Sequence, residues 1–159
     1  MRLEGKNILI SGAYGKLGKE LVPLLREEGA IVMAPSRQEW DIWLHPCGLA
    51  MPYVNVSPMG FYAFTKKAGE YFVDNKNDMI IRTSFKPRNL WGEDGLKEVF
   101  HPVYTNADWT DVIAKKIIEA VCLDLTGVVN IGTERKSLLD LAYEAYEDVK
   151  VTSVHEADK

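Results

Sequence analysis

The stretch NILISGAYGKLG, residues 7–18, decides the fold. Its first five residues form a short apolar run that is typical of a buried strand. Three glycines follow at 12, 15 and 18, and leucines at 17, 21, 24 and 25 share one helical face, so we predict a helix over 16–28. A second apolar run at 30–34 then completes a β-α-β unit. We expect its two strands to be parallel, with a right-handed crossover.

The glycine turn between this strand and helix has the chemistry of a pyrophosphate site. A glycine at 12 permits the sharp turn, one at 15 lets backbone amides approach the anion, and one at 18 lets the helix pack closely on the strand. The spacing G-x-x-G-x-x-G differs from the G-x-G-x-x-G dinucleotide pattern, and a plain tight turn is the alternative interpretation. The candidate cofactor-binding residues here are Gly12, Tyr14, Gly15, Lys16, Leu17 and Gly18.

The end of the second strand bears on the choice of nucleotide. NAD-binding sites of this kind usually carry an acidic residue there, which holds the ribose 2′-hydroxyl. Here the strand is followed by Pro35, Ser36 and Arg37, and the last two suit a 2′-phosphate. The sequence therefore favours NADP over NAD, unless Arg37 is only a solvated loop charge.

A tyrosine–lysine pair is the second candidate for chemistry. Ser57 and Pro58 are typical of a helix start, and on that helix Tyr62 and Lys66 lie one turn apart. An ammonium group beside a phenol lowers the phenol pKa, as a general acid or base requires. The same pattern is common by chance, so a surface tyrosine beside a solvated lysine is the alternative interpretation.

The rest of the chain alternates strand-like and helix-like segments. We predict strands at 79–83, 128–131 and 150–154, a helix at 110–122, and a second helix that begins at a capping box at Ser137 and runs to about 147. Residues 85–108 show no clean period and are expected to form a long loop. This alternation predicts an open, mostly parallel α/β sheet.

Taken together, the glycine turn and the Tyr62–Lys66 pair resemble the short-chain dehydrogenase/reductase superfamily. Further segments are similar to its extended branch, especially the dTDP-4-dehydrorhamnose reductase-like and sugar-nucleotide epimerase/dehydratase proteins: 37–42, 61–70, 79–84, 108–114, 127–133 and 137–142. The resemblance covers about 5–42 and 58–147. It implies a Rossmann-like fold, a bound NADP or NAD and a nucleotide-sugar substrate.

The resemblance also implies roles for individual residues. Tyr62 would be the acid/base for hydride transfer, and Lys66 would lower its pKa and bind the nicotinamide ribose. Asp41 and Ile42 would join the cofactor contacts, while Arg82 and Asn89 would contact the sugar nucleotide.

The chain is short for this family. Only about two dozen residues separate the second strand from Tyr62, whereas one strand-helix-strand unit takes about 30. The family's third and fourth strands, and a Ser or Thr beside the tyrosine, have no counterpart here. We therefore expect one domain, 1–159, with a reduced Rossmann-like, mostly parallel sheet and flanking helices, lacking about two central strands. It divides into a glycine-turn half (1–42), a shortened connection (43–57) and a Tyr–Lys half (58–159).

Two functions stay open at this point. One is an NAD(P)-binding sugar-nucleotide reductase or epimerase that uses the Tyr–Lys pair for hydride transfer. The other is a truncated, non-catalytic nucleotide-binding or interaction module of the same fold. The missing strands and the missing Ser or Thr favour the second, and the glycine turn with the Tyr–Lys pair favours the first.

Composition and residue spacing argue against several kinds of binding partner and site. The 159 residues carry 19 Lys and Arg against 23 Asp and Glu, a net charge of −4, which argues against a nucleic-acid partner. Cys47 and Cys122 lie far apart and the three histidines are scattered, so we expect no metal site. The sequence contains no apolar run long enough to span a membrane, and a cytoplasmic location is expected. An incomplete sheet leaves unpaired edges, which predicts a homo-oligomer.

Overall fold

The computed structural model describes residues 2–36, 38, 69–71, 73–74, 76–90, 98–146 and 149–153. Ten strands and three helices lie in these ranges. In chain order they are β1 (Asn7–Leu9), α1 (Gly18–Glu27), β2 (Ile31–Met33), β3 (Met79–Thr83), β4 (Phe85–Lys86), β5 (Glu98–His101), β6 (Tyr104–Thr105), β7 (Asp108–Trp109), α2 (Thr110–Cys122), β8 (Gly127–Ile131), β9 (Lys136–Ser137), α3 (Leu138–Tyr143) and β10 (Lys150–Ser153).

The predicted β-α-β unit is confirmed. Strands β1 and β2 are parallel, with Ile8 opposite Val32, and α1 connects them. The helix is followed by Gly29, whose φ of +90° is the left-handed conformation expected just beyond a helix C-terminus. Its amide donates a hydrogen bond to the Arg26 carbonyl at 3.0 Å. The glycine turn lies between the end of β1 and the start of α1.

A second parallel pair, β3 and β8, packs against α2. Ile81 and Val129 point at the buried face of α2, where Ile113 and Ile117 lie. The two helices also touch, because Leu21 of α1 packs against the same apolar cluster and Ile118 of α2 packs against Leu25. Helices α1 and α2 therefore lie side by side over one face of the two strand pairs.

The class predicted from the sequence, a mostly parallel α/β arrangement, is confirmed. Four of the five described ladders are parallel, namely β1–β2, β3–β8, β4–β7 and β5–β10, and β6–β9 is antiparallel. Among the described strands, no ladder joins the β1–β2 pair to the β3–β8 pair. Direct pairing of these strands, one way of closing a shortened sheet, is therefore not used. The shortened connection itself, 43–57, lies outside the described residues.

The expectation of one long loop over 85–108 is wrong. This segment contains β4, β5 and β6, each paired with a strand that comes later in the chain. Val99 of β5 packs with Trp109, Leu141 and Ala142 in a separate small core. Strands of two to four residues are too short to show a period, which explains why the sequence did not reveal them.

None of the helices within the described ranges is both long and apolar enough to cross a bilayer.

Candidate nucleotide-binding site

The glycine turn is closed by its own backbone. Gly12 has φ +74°, a conformation that glycine adopts without strain. The Gly15 amide donates to the Gly12 carbonyl at 2.9 Å. A Cβ atom at Gly18 would lie 2.4 Å from that same carbonyl oxygen and 2.7 Å from Ala13 backbone atoms. Gly18 therefore lets the start of α1 approach the backbone of the glycine turn closely, and the nearest neighbours of this position lie in the turn and not in β1.

The turn leaves several backbone donors available. No described residue accepts a hydrogen bond from the amides of Tyr14, Lys16 or Leu17. They stand directly before α1, a ten-residue helix whose N-terminus carries partial positive charge. Unpaired amides at a helix start fit a phosphate group. These residues therefore fit the pyrophosphate of a dinucleotide.

A pocket of about 510 Å³ opens beside this turn. It lies between the start of α1, the turn after β4 and the start of α2, and its volume is in the range of small-ligand sites. Its lining residues are Lys16, Glu20, Pro87, Arg88, Asn89, Thr110 and Asp111.

An ion pair forms one wall of the pocket. Arg88 donates to both Asp111 carboxylate oxygens, from Nε at 3.0 Å and from an Nη at 2.8 Å. These donors hold the pKa of Asp111 below its usual value, although partial burial opposes the shift. The guanidinium also lies 5.4 Å from the centre of the Trp109 ring. Tyr146 donates its hydroxyl to the Arg88 carbonyl, which fixes the backbone of this turn.

A buried network supports the start of α2. Asp108 is 6% exposed and accepts from Lys136 Nζ at 2.8 Å and from the Trp109 amide at 2.7 Å. Burial alone would raise the Asp108 pKa, but these donors outweigh it and the pKa is lowered. The Trp109 ring nitrogen donates to Glu144 at 2.9 Å. Trp109 is 2% exposed, as expected for a core or interface tryptophan.

The sequence-predicted substrate residues are placed apart. Asn89 lines the pocket together with Lys16. Arg82 does not line it and instead donates to both carboxylate oxygens of Glu70, at 2.8 and 2.6 Å. Ser36 follows β2 and is partly buried. Of the two predicted substrate residues, only Asn89 therefore lies in the same pocket as a residue of the glycine turn.

The other predicted site residues lie outside the described residues. They are Arg37, Asp41, Ile42, Tyr62 and Lys66. Their roles stay predictions. Within the ranges that the structure does describe, no three His, Cys, Asp or Glu side chains are grouped so as to hold a metal ion.

Glu20, Arg88 and Asp111 line the pocket but are not among the site residues predicted from the sequence. Arg88 and Asp111 are 23 residues apart in the chain, and their pairing depends on β4 lying beside β7. The only available signal was that segment 108–114 stood out by its resemblance to the reductases.

The comparisons with known proteins identify similar solved structures. No family model and no curated protein matches this sequence significantly. A crystal structure of a dTDP-4-dehydrorhamnose reductase from Clostridium acetobutylicum matches with a TM-score of 0.67 and 18% identity, over 92% of this chain and 83% of that chain. A hypothetical dTDP-4-dehydrorhamnose reductase from Sulfolobus tokodaii matches with a TM-score of 0.62 and 19% identity, over 94% and 85%.

The chain has the fold of these reductases. The α/β class with parallel pairs predicted from the sequence agrees with both structures. At 18–19% identity the likeness concerns the fold, and the site must be argued from its own residues.

Proposed function

We propose that this chain binds a nicotinamide dinucleotide, with the pyrophosphate over the glycine turn. The observation that carries the proposal concerns the backbone amides of Tyr14, Lys16 and Leu17, directly before α1. No described residue accepts a hydrogen bond from any of them. Gly18 supports it, because its close contact with Gly12 holds the helix start against the glycine turn. The two matched structures of the same fold are named as reductases, a class of enzyme that needs a source of reducing equivalents.

The reaction that we propose is reduction or epimerisation of a nucleotide-linked sugar. The nicotinamide would supply or accept the hydride. Tyr62 would hold and transfer the proton at the substrate oxygen, and Lys66 would lower the tyrosine pKa and bind the nicotinamide ribose. Asn89 would reach the substrate from the pocket wall, and Arg82 remains a second candidate contact. The residue roles come from the sequence pattern and the resemblance that it carries, and the printed names of the matched structures bear on the reaction class, a reductase.

We propose NADP rather than NAD as the cofactor. The support is the absence of an acidic residue directly after β2, where Ser36 and Arg37 stand instead. Replacing Arg37 by Ala should lower the affinity for NADPH about tenfold, the scale of one lost charge-assisted hydrogen bond, and leave NADH unchanged. Equal losses for both nucleotides would contradict the assignment. We also propose that the protein is cytoplasmic, forms a homo-oligomer and has no nucleic-acid partner.

A matched pair of substitutions at Gly12 tests the binding site. Asp and Asn both tolerate positive φ better than other side chains and have nearly the same shape. A Cβ atom at Gly12 meets nothing within 4 Å, and the backbone strain of a side chain at φ +74° is shared by both variants, so it cancels in the comparison. Asp at position 12 should weaken NADPH binding, measured by the change in NADPH fluorescence, far more than Asn does. Equal affinities would place the pyrophosphate elsewhere.

Replacing Tyr62 by Phe tests the catalytic assignment. We expect turnover to be lost while NADPH still binds, because only the hydroxyl is removed. Tyr71→Phe is the matched control, since Tyr71 is 63% exposed. Undiminished turnover in Tyr62→Phe refutes the proposed mechanism but leaves the binding site standing.

A non-catalytic nucleotide-binding module is the second candidate. The observation that favours it is that, among the described strands, no ladder joins the β1–β2 pair to the β3–β8 pair. The short connection at 43–57 also leaves out the family's Ser or Thr. Tight NADPH binding without oxidation of NADPH in the presence of dTDP-linked keto-sugars would establish this alternative.

A further inference from the structure

The pocket beside the glycine turn contains charges of both signs. Lys16 and Arg88 are cationic, and Glu20 and Asp111 are anionic. Lys16 forms no ion pair with any described residue, whereas two of the Arg88 donors are engaged by Asp111. The ion pair is open to solvent, since its side chains are 58% and 35% exposed. One arginine therefore stands close to a predicted anion site while already neutralised by a carboxylate.

Such an exposed ion pair is easily exchanged. Pairs of this kind contribute at most about a fivefold factor to an equilibrium constant. A diphosphate carries more charge than a carboxylate, and its oxygens match the planar donor fork of arginine. In competition for one guanidinium, a diphosphate bound in the pocket has the advantage over Asp111.

The surroundings of Arg88 allow its side chain to move while its backbone stays in place. The Arg88 carbonyl accepts from Tyr146, and the Leu90 amide donates to the Pro87 carbonyl at 3.0 Å. The Trp109 ring offers a flat surface along which the guanidinium can turn. An exchange of partner therefore needs only a side-chain rotation.

We propose that Asp111 holds Arg88 in the free protein, and that a diphosphate group seated on the Lys16 side of the pocket takes Arg88 over. Arg88 is then an anion-binding residue, and Asp111 is a positioning residue that competes with the ligand. The inference rests on the proposed function, because the glycine turn supplies the diphosphate site. The diphosphate belongs either to the dinucleotide or to a nucleotide-linked substrate.

Two carboxylate replacements test the competition. Asp111→Asn and Glu20→Gln each remove one negative charge from the same pocket, but only Asp111 pairs with Arg88. If Arg88 did not move, each replacement would act only by removing one negative charge from the pocket, and the two variants should gain similar affinity for an anion. If Arg88 exchanges partners, Asp111→Asn should tighten binding of inorganic pyrophosphate about fivefold, the full worth of the competing pair, and exceed Glu20→Gln. Calorimetry measures both affinities.

Replacement of the arginine gives the second arm. Arg88→Gln should weaken pyrophosphate binding about tenfold, as expected for a lost charge-assisted hydrogen bond. Arg135→Gln is the control, because Arg135 stacks on Tyr104 at 4.0 Å and does not line the pocket. NADPH and dTDP are titrated in parallel, and the ligand that shows both effects identifies the source of the diphosphate.

The outcomes separate this inference from the proposed function. An Asp111→Asn effect no larger than that of Glu20→Gln, or unchanged binding by Arg88→Gln, overturns the exchange while the glycine-turn site stands. Failure of the wild-type protein to bind pyrophosphate, NADPH and dTDP overturns both. Thermal unfolding of each variant confirms that the compared proteins are folded.

Discussion

Replacing Gly18 by Ala tests the contact between the start of α1 and the glycine turn. A Cβ atom there would lie 2.4 Å from the Gly12 carbonyl oxygen and 2.7 Å from Ala13 backbone atoms, far inside the roughly 3.5 Å of a good contact. All of these neighbours are backbone atoms of the glycine turn, so no side chain can turn away and the start of α1 must separate from the turn. Overpacking of this kind costs about 3 kcal/mol at the upper end of its usual range. Alanine returns about 1 kcal/mol through its better helix propensity.

The expected net loss is therefore about 2 kcal/mol of unfolding free energy, or roughly 4–8 °C in Tm for a chain of this size. Urea denaturation followed by far-ultraviolet circular dichroism measures the free energy. Gly69→Ala is the matched control, because a Cβ atom at Gly69 meets nothing within 4 Å, and we expect it to be neutral or slightly stabilising. A Gly18→Ala protein as stable as the wild type would refute the close packing of α1 on the glycine turn.

Three further predictions concern the start of α2 and α3. Ser137→Ala removes the cap bond that its hydroxyl oxygen accepts from the Asp140 amide at 2.9 Å, and should cost about 1 kcal/mol in urea denaturation, while Ser137→Thr should retain most of it. Asp108→Asn leaves the mostly buried Lys136 ammonium without its main partner, and should cost about 3 kcal/mol by the same measurement; a loss below about 0.5 kcal/mol would show that the pair is not needed. Because the Asp108 pKa is lowered in the folded state, its contribution to stability is present above the ordinary aspartate value of 3.8 and is lost as the pH falls through the lower folded value. Stability should therefore drop as the pH falls below 3.8, and less steeply in Asp108→Asn.

The elements that the sequence predicted well are those with local signals. Helix α2 was expected over 110–122 and is found there, because apolar residues recur along one face and its length supports the period. The β-α-β unit was recognisable from the glycine turn, and the start of α3 from the capping serine at 137, whose cap bond is present. The end of α3 was predicted wrongly, because the helix stops at Tyr143 and not at about 147. Each of these signals lies within about one helical turn of the structure that it predicts.

The elements that could not be predicted from the sequence are short strands, which pair with strands far along the chain. Strand β4 has two residues and exists only because Phe85 and Lys86 align with Asp108 and Trp109. Strand β5 pairs with β10, about fifty positions further along the chain, with Lys150 Nζ paired to the Glu98 carboxylate across the ladder. Short strands carry no internal period, so their pairing cannot be deduced from hydrophobicity alone.

The candidate site shows the same division between local and distant signals. Lys16 was identified because it belongs to the glycine turn, but the pocket it lines also needs the turn after β4 and the start of α2. Arg88 reaches that pocket because β4 lies beside β7, which places it next to Asp111 and Trp109. A missed two-residue strand therefore also concealed the cation that we propose as a diphosphate ligand. It follows that substitutions weakening the β4–β7 pairing should lower pyrophosphate affinity even though they leave every residue of the glycine turn unchanged.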